Sequence, residues 1–182
     1  KNDRAAKAYE KVLELDETNL RAAEALIPIY TQANNSKALA NVIEVKLGHE
    51  ESQDSRVALF REVAALYESK VKEPEKACER YLSAFDLAPE EEQSAADLER
   101  VAKVVKAWDK VVAAYHKAIE GATTNPDLAL SLRLRMGRIY VEEQGNVDEA
   151  LSAYRAVYET DGDNQEALSA LERLYRQTKR FS

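Results

Sequence analysis

The stretch "LERVAKVVKAWD", residues 98–109, is answered 73 residues later by "LERLYRQTKRFS", residues 171–182. Slid against itself at that offset, the chain places Tyr67 on Tyr140, Ala77 on Ala150, Tyr81 on Tyr154, Leu98 on Leu171 and Arg100 on Arg173. The same offset places Lys106 on Lys179 and Trp108 on Phe181. An offset of 72 carries Tyr9 onto Tyr81 and Leu26 onto Leu98, so the register persists through the whole chain. A fixed period identifies a repeat array before any element is assigned.

The elements of that array are helices. The 182 residues are 45% hydrophobic and 32% charged with only Gly 5 and Pro 4, too few breakers for a strand-and-turn fold. Ala, Glu, Leu, Lys and Arg, which lose little side-chain freedom in a helix, dominate. Apolar residues recur at helical spacing, as in Leu59, Val63 and Leu66 or Leu132, Met136 and Ile139. The pattern predicts ten helices, near 3–16, 19–33, 36–47, 54–71, 74–88, 91–105, 108–120, 126–143, 146–160 and 164–179. Pro74 and Pro126 sit where a first turn tolerates a missing N–H, and Asn125 and Asp127 flank one start. Gly48, Gly121 and Gly162 follow helix ends as left-handed caps would. Pro28, inside "LRAAEALIPIY", predicts a kink or an early break of its helix.

Each unit of 73 therefore reads as two helical hairpins, and five hairpins fill the chain. A hairpin of this length, with a large-small-aromatic signature in its first helix and an alanine followed four residues later by an aromatic in its second, resembles the tetratricopeptide repeat. "MGRIYVEEQGNVDEALSAYRAVYETDGDN" carries the resemblance at Met136, Gly137, Tyr140, Gly145, Ala150 and Tyr154. "VAALYESKVKEPEKACERYLSAFDLAPE" repeats it at Val63, Ala64, Tyr67, Ala77, Tyr81, Ala84 and Pro89, and "AAKAYEKVLELDETN" is its second half alone. Small residues let two helices approach closely, and the tyrosines fill the gap beside them. Tyr67 to Ala77 and Tyr140 to Ala150 each span one residue more than the family's usual interval, and 91–121 lacks the first-helix aromatic.

The resemblance implies an all-α α-solenoid of tandem antiparallel hairpins coiling into a right-handed superhelix. The expected organisation is a single array: 1–18 the second helix of a truncated repeat, 19–52 a repeat, 53–90 a repeat, 91–124 a degenerate repeat, 125–163 a repeat and 164–182 the first helix of a truncated repeat. The alternation of stronger and weaker hairpins is similar to long tandem arrays of bacterial envelope and motility proteins. Half-hairpins at both ends are expected to leave apolar surface uncovered, with possible self-association there.

Several function classes recede. A net charge of −7 opposes broad contact with phosphate backbones or anionic lipid, so no nucleic acid is expected. No window approaches the ~20 uninterrupted apolar residues of a membrane span. The one cysteine, Cys78, permits no internal disulfide, and it follows the small core position Ala77, which favours packing. There is no phosphate loop, paired-histidine zinc motif, calcium loop or nucleophile elbow, so no catalysis, cofactor or metal is expected. His49 and His116 read as solvated or packed, and the acids of "PEEEQ", 89–93, as favourable charge at a helix start. The compartment is left open, bacterial cytoplasm and periplasm both being compatible with a soluble segment.

The resemblance implies instead a non-catalytic protein-protein interaction scaffold, because the first helices of such hairpins line a concave surface that receives peptides or other chains. Two and five residues beyond the large signature positions stand Arg100, Lys103, Arg138, Arg173 and Arg176, the candidate partner-binding residues. They favour a partner rich in carboxylates. Against this, Asp97 lies three residues from Arg100, Glu142 four from Arg138 and Glu172 four from Arg176, so intrahelical pairs could absorb three of the five, whereas Arg173 has no acid at such spacing. The competing readings are a structural spacer or self-assembly module and, less favoured by the charge, an RNA-processing half-repeat scaffold.

Overall fold

The computed structural model describes residues 2–178, the side chains of Asn2 and Asp3 excepted. Ten α-helices occupy them: α1 Asn2–Leu15, α2 Leu20–Gln32, α3 Ser36–His49, α4 Gln53–Leu66, α5 Pro74–Leu87, α6 Glu92–Val105, α7 Trp108–Gly121, α8 Pro126–Glu142, α9 Val147–Thr160 and α10 Gln165–Thr178. A π turn, Tyr67–Val71, extends α4. Among the described residues there is no strand. The expected matches of Lys179 to Lys106 and of Phe181 to Trp108 lie outside the described residues, as does Lys1.

Local chemistry explains where the helices start. The side chains of Asn19, Asn35, Asn125, Asn146 and Asn164 each accept a hydrogen bond from the backbone N–H three residues on, at 3.0, 3.2, 3.1, 3.3 and 3.1 Å. Such caps satisfy donors that a helix leaves orphaned, each contributing about 1 kcal/mol. Pro74 and Pro126 stand in the first turns of α5 and α8, as their missing N–H allows.

Where the helices end, the structure corrects two expectations. Gly48 and Gly121 lie within the last turns of α3 and α7, and Gly162 has no positive φ; none is a left-handed cap. The left-handed residues are Asn34, Lys72, Lys106 and Gly145, with φ of 53, 64, 57 and 63°. They follow α2, the π turn, α6 and α8, and the pairs 34/106 and 72/145 are again 72 and 73 residues apart. The second correction concerns the early break expected at Pro28: of the two alternatives, kink or break, the break does not occur, and α2 continues to Gln32. Pro28 and Glu24, whose carbonyl loses its helical donor, are both exposed, so water can satisfy that carbonyl.

The extra residue between Tyr67 and Ala77 and between Tyr140 and Ala150 has a structural form. Glu73 N–H donates to Tyr67 O at 2.9 Å and Asn146 N–H to Tyr140 O at 2.8 Å, each closing a loop one residue wider than the Asn35 N–H to Tyr30 O bond at 3.0 Å. After α4 the wider turn is taken up as π geometry.

The chain divides into two compact units, residues 1–106 and 107–182. In the first, each of α1 to α6 packs on the next; in the second, α7, α8, α9 and α10 do the same. The division falls between the two helices of the expected 91–124 hairpin. The core of each unit is apolar and built at the small positions: Ala64, Ala77 and Ala150 are fully buried, and Phe85, Leu98, Tyr115, Tyr154 and Leu174 are enclosed among such residues. The closest approach is at Gly137, where a Cβ would stand 2.6 Å from Tyr154 Cζ. The tyrosine ring of α9 thus lies directly on the backbone of α8.

Candidate functional site

The five candidate basic residues are all exposed, two in the first unit and three in the second. Their surroundings differ sharply. Arg100 lies on α6, and its guanidinium reaches Glu68 of the π turn and Tyr81 of α5. Its Nη1 donates to Glu68 Oε1 and its Nη2 donates to Asp97 Oδ1 at 3.1 Å and to the Tyr81 hydroxyl at 3.4 Å. The guanidinium also stands 5.6 Å over the Tyr81 ring. Tyr81 in turn donates to Glu68 Oε2 at 3.2 Å. Asp97, with only 13% of its side chain exposed, is held from its other side by Arg61 Nη2 at 3.3 Å. Burial disfavours the Arg100 charge, but the bonds to Asp97, Tyr81 and Glu68 outweigh it and hold the guanidinium protonated above its ordinary range. Burial also pushes the Tyr81 hydroxyl up, against the bond it accepts from Arg100. Arg100 is therefore bound to its own chain.

Lys103 is likewise engaged within the protein. Arg176 pairs with Glu172 one turn back on α10, as its spacing suggests. Arg138 does not take the expected partner: its Nε pairs with Glu166 Oε1 at 3.1 Å, across from α8 to α10, in place of Glu142 on its own helix. An inter-helix carboxylate in reach competes with an intrahelical one, whose pairing contributes only a few tenths of a kcal/mol. Arg173 makes no hydrogen bond or ion pair among the described residues.

Arg138 and Arg173 come together in one place. A groove of about 340 Å³ runs between α8 and α10 over α9, lined by Arg138, Glu142, Tyr154, Glu166, Ser169, Ala170 and Arg173. Burial raises the Tyr154 hydroxyl pKa, helped by Glu166 and opposed by Arg138 and Arg173. On α7, α8 and α9 a smaller hollow of about 180 Å³ is lined by His116, Met136, Tyr140 and Glu149 among others. There Tyr140 and His116 Nε2 are 3.4 Å apart, although His116 is exposed overall. His49 Nε2 is 2.6 Å from Thr18 O, tying the end of α3 to the α1–α2 turn, and Cys78 is 2% exposed.

Sequence spacing missed the acids that decide these environments. Glu68 is 32 residues from Arg100 and Glu166 is 28 from Arg138, beyond any intrahelical rule. Among the described residues no three of His, Cys, Asp and Glu gather as a metal site would require. No described helix is long and apolar enough to cross a membrane.

Residues 131–167, which take in most of α8, all of α9 and Gly137 closed by Tyr154, match the family model described as tetratricopeptide repeat. That stretch reads as one tetratricopeptide repeat. Two solved structures resemble the chain: the crystal structure of BtubC (BKLC) from P. vanneervenii, 16% identical over 96% of this chain and 87% of that one with a TM-score of 0.43, and that of MamA, 16% identical over 98% and 90% with a TM-score of 0.41. At that level neither says anything of this protein's partners. No curated protein matches the chain. Tetratricopeptide repeats suggest a protein-interaction scaffold in general terms, and the family is typically non-catalytic.

Proposed function

We propose that this protein is a non-catalytic interaction scaffold whose second unit receives a segment of a protein partner in the groove between α8 and α10. The observation that carries the reading is Arg173: an exposed guanidinium lining a groove of about 340 Å³ with no partner among the described residues. The groove lies between the first helices of successive hairpins, the surface that the resemblance assigns to ligands. Its floor is the buried Tyr154 and the small Ala170, and its walls carry Arg138, Glu166 and Glu142. A backbone can approach such a floor while the walls read side chains. Of the expected stripe, Arg138 and Arg173 remain as the reading's binding residues; Arg176 stands one turn beyond them. The net charge of −7 favours a protein over a nucleic acid.

The test is a photo-crosslinking amino acid placed at Ser169, inside the groove, and at Glu159, an exposed residue that does not line it. Proteins captured from the Ser169 position and lost when Ala170→Trp fills the groove support the reading. The same proteins captured equally from Glu159, or retained with the groove filled, refute it.

A further inference from the structure

The surroundings of Arg100 and of Arg173 occupy corresponding positions of the repeat. At the offset of 73, Tyr81 and Arg100 of the first unit correspond to Tyr154 and Arg173 of the second. In the first, one carboxylate of Glu68 accepts from both the Tyr81 hydroxyl and the Arg100 guanidinium, and Asp97 holds the guanidinium from the side. In the second, Val141 stands where Glu68 would and Ala170 where Asp97 would. The tyrosine and the arginine are kept while both acids are gone. Among the described residues neither the Tyr154 hydroxyl nor Arg173 makes a hydrogen bond, and both line the open groove.

We propose that Tyr154 and Arg173 form a receiving site for an aspartate or glutamate side chain of the partner, which takes the place that Glu68 fills in the first unit. This deepens the groove reading and rests on it. The first unit shows the bound arrangement with an internal ligand: a carboxylate bridging a phenol and a guanidinium. A charge-assisted pair of this kind is stronger than a neutral hydrogen bond and is favoured where the aromatic floor excludes water. The rest of the groove directs the incoming acid. Glu166 already neutralises Arg138. Glu142, which makes no ion pair among the described residues, repels a carboxylate from its end of the groove and leaves Arg173 as the seat. Specificity therefore resides at positions 141 and 170. The arginines are alike; the first is held by its own acids and the second is open because those acids are missing.

The experiment follows the arginine side-chain Nε–Hε resonances of the whole chain by NMR while adding a blocked decaglutamate peptide, with blocked decaglutamine and decalysine peptides and a decaglutamine peptide with a free carboxyl end as comparisons. The decaglutamate peptide is expected to shift Arg173 saturably and to leave Arg100 unmoved, although both are exposed. Val141→Glu, which supplies an internal carboxylate, should weaken the response about tenfold with Arg173 intact, as losing one charge-assisted pair would. Because that substitution could perturb α8, a second variant works in the opposite direction: Glu68→Val should make Arg100 respond. Equal shifts of Arg100 and Arg173 in the unaltered chain, or an unchanged response in Val141→Glu together with a silent Arg100 in Glu68→Val, overturn the proposal. So does a free-ended decaglutamine peptide that shifts Arg173 as strongly as decaglutamate, since the ligand would then be a chain terminus. If groove backbone amides respond to a peptide while Arg173 stays silent, the carboxylate site fails and the groove reading survives. If no peptide moves any groove resonance, both fail.

Discussion

Replacing Gly137 by alanine puts two known effects in direct opposition. The added Cβ would lie 2.6, 2.7 and 2.8 Å from three ring atoms of Tyr154, where carbon atoms ordinarily approach to about 3.5–4.0 Å. The ring must retreat by roughly 1 Å, yet Tyr154 is only 1% exposed and packed on every side but the groove. Overpacking of this kind costs about 1–3 kcal/mol. Removing a glycine from the interior of a helix returns up to about 1 kcal/mol. The overlap is close to a full ångström in a buried ring, so the cost falls in the upper half of its range and Gly137→Ala should destabilise the protein by about 1–2 kcal/mol net. Urea denaturation followed by circular dichroism measures this. Gly48→Ala is the control, because nothing lies within 4 Å of its Cβ, and it should be neutral or slightly stabilising. In a Tyr154→Ala background the clash vanishes, so Gly137→Ala should then become stabilising. A Gly137→Ala variant as stable as Gly48→Ala, or a penalty that persists without the Tyr154 ring, would refute the idea that glycine is there for the tyrosine.

Three further outcomes are expected. Burial and a 2.8 Å hydrogen bond to Glu10 push Tyr30 up to about 12, above the value near 10 it regains on unfolding. The folded state thus binds the proton more tightly, so this stability is fully present below pH ~10 and is lost as pH rises from there toward ~12; Tyr30→Phe should show a smaller fall in Tm over that window. Lys106→Gly should stabilise the chain by about 0.5–1 kcal/mol in urea, because φ of 57° burdens any side chain with a Cβ. Arg100→Ala should cost about 1 kcal/mol more than Arg173→Ala, since only the former leaves Glu68 without a counter-ion and takes from the nearly buried Asp97 one of its two; equal values would place the two arginines in like surroundings.

Much of the fold was legible because it rests on patterns that sequence displays directly. The offset of 73 survives as the spacing of left-handed residues 72 and 145, and the small and aromatic positions pack as their sizes require, Tyr154 on Gly137 above all. What was illegible depends on surroundings. Lys72 and Lys106 take a conformation that glycine would take more easily, and nothing in their residue type announces it. Pro28 likewise stays helical because its unmet carbonyl faces solvent. At the candidate site, availability was not legible: Arg100 and Arg173 look equivalent to any rule confined to one helix.

The signal that separates them was nevertheless present in the period. Aligning two copies usually draws attention to the residues they share, which here report the fold: Tyr81 with Tyr154, Ala77 with Ala150, Leu98 with Leu171. The residues that differ between copies report the function. A repeat array must keep its packing positions in every copy, since each hairpin buries its face on the next, but it need satisfy its surface charges only where no ligand does so. Retaining Tyr154 and Arg173 while replacing both of their acids is the pattern such a division produces. An array that did not use the groove would gain nothing by keeping the arginine once its carboxylates were gone, since an isolated exposed guanidinium adds little to stability. The retained cation and the missing anions are two features of one place, and the proposed carboxylate from outside the chain would account for both.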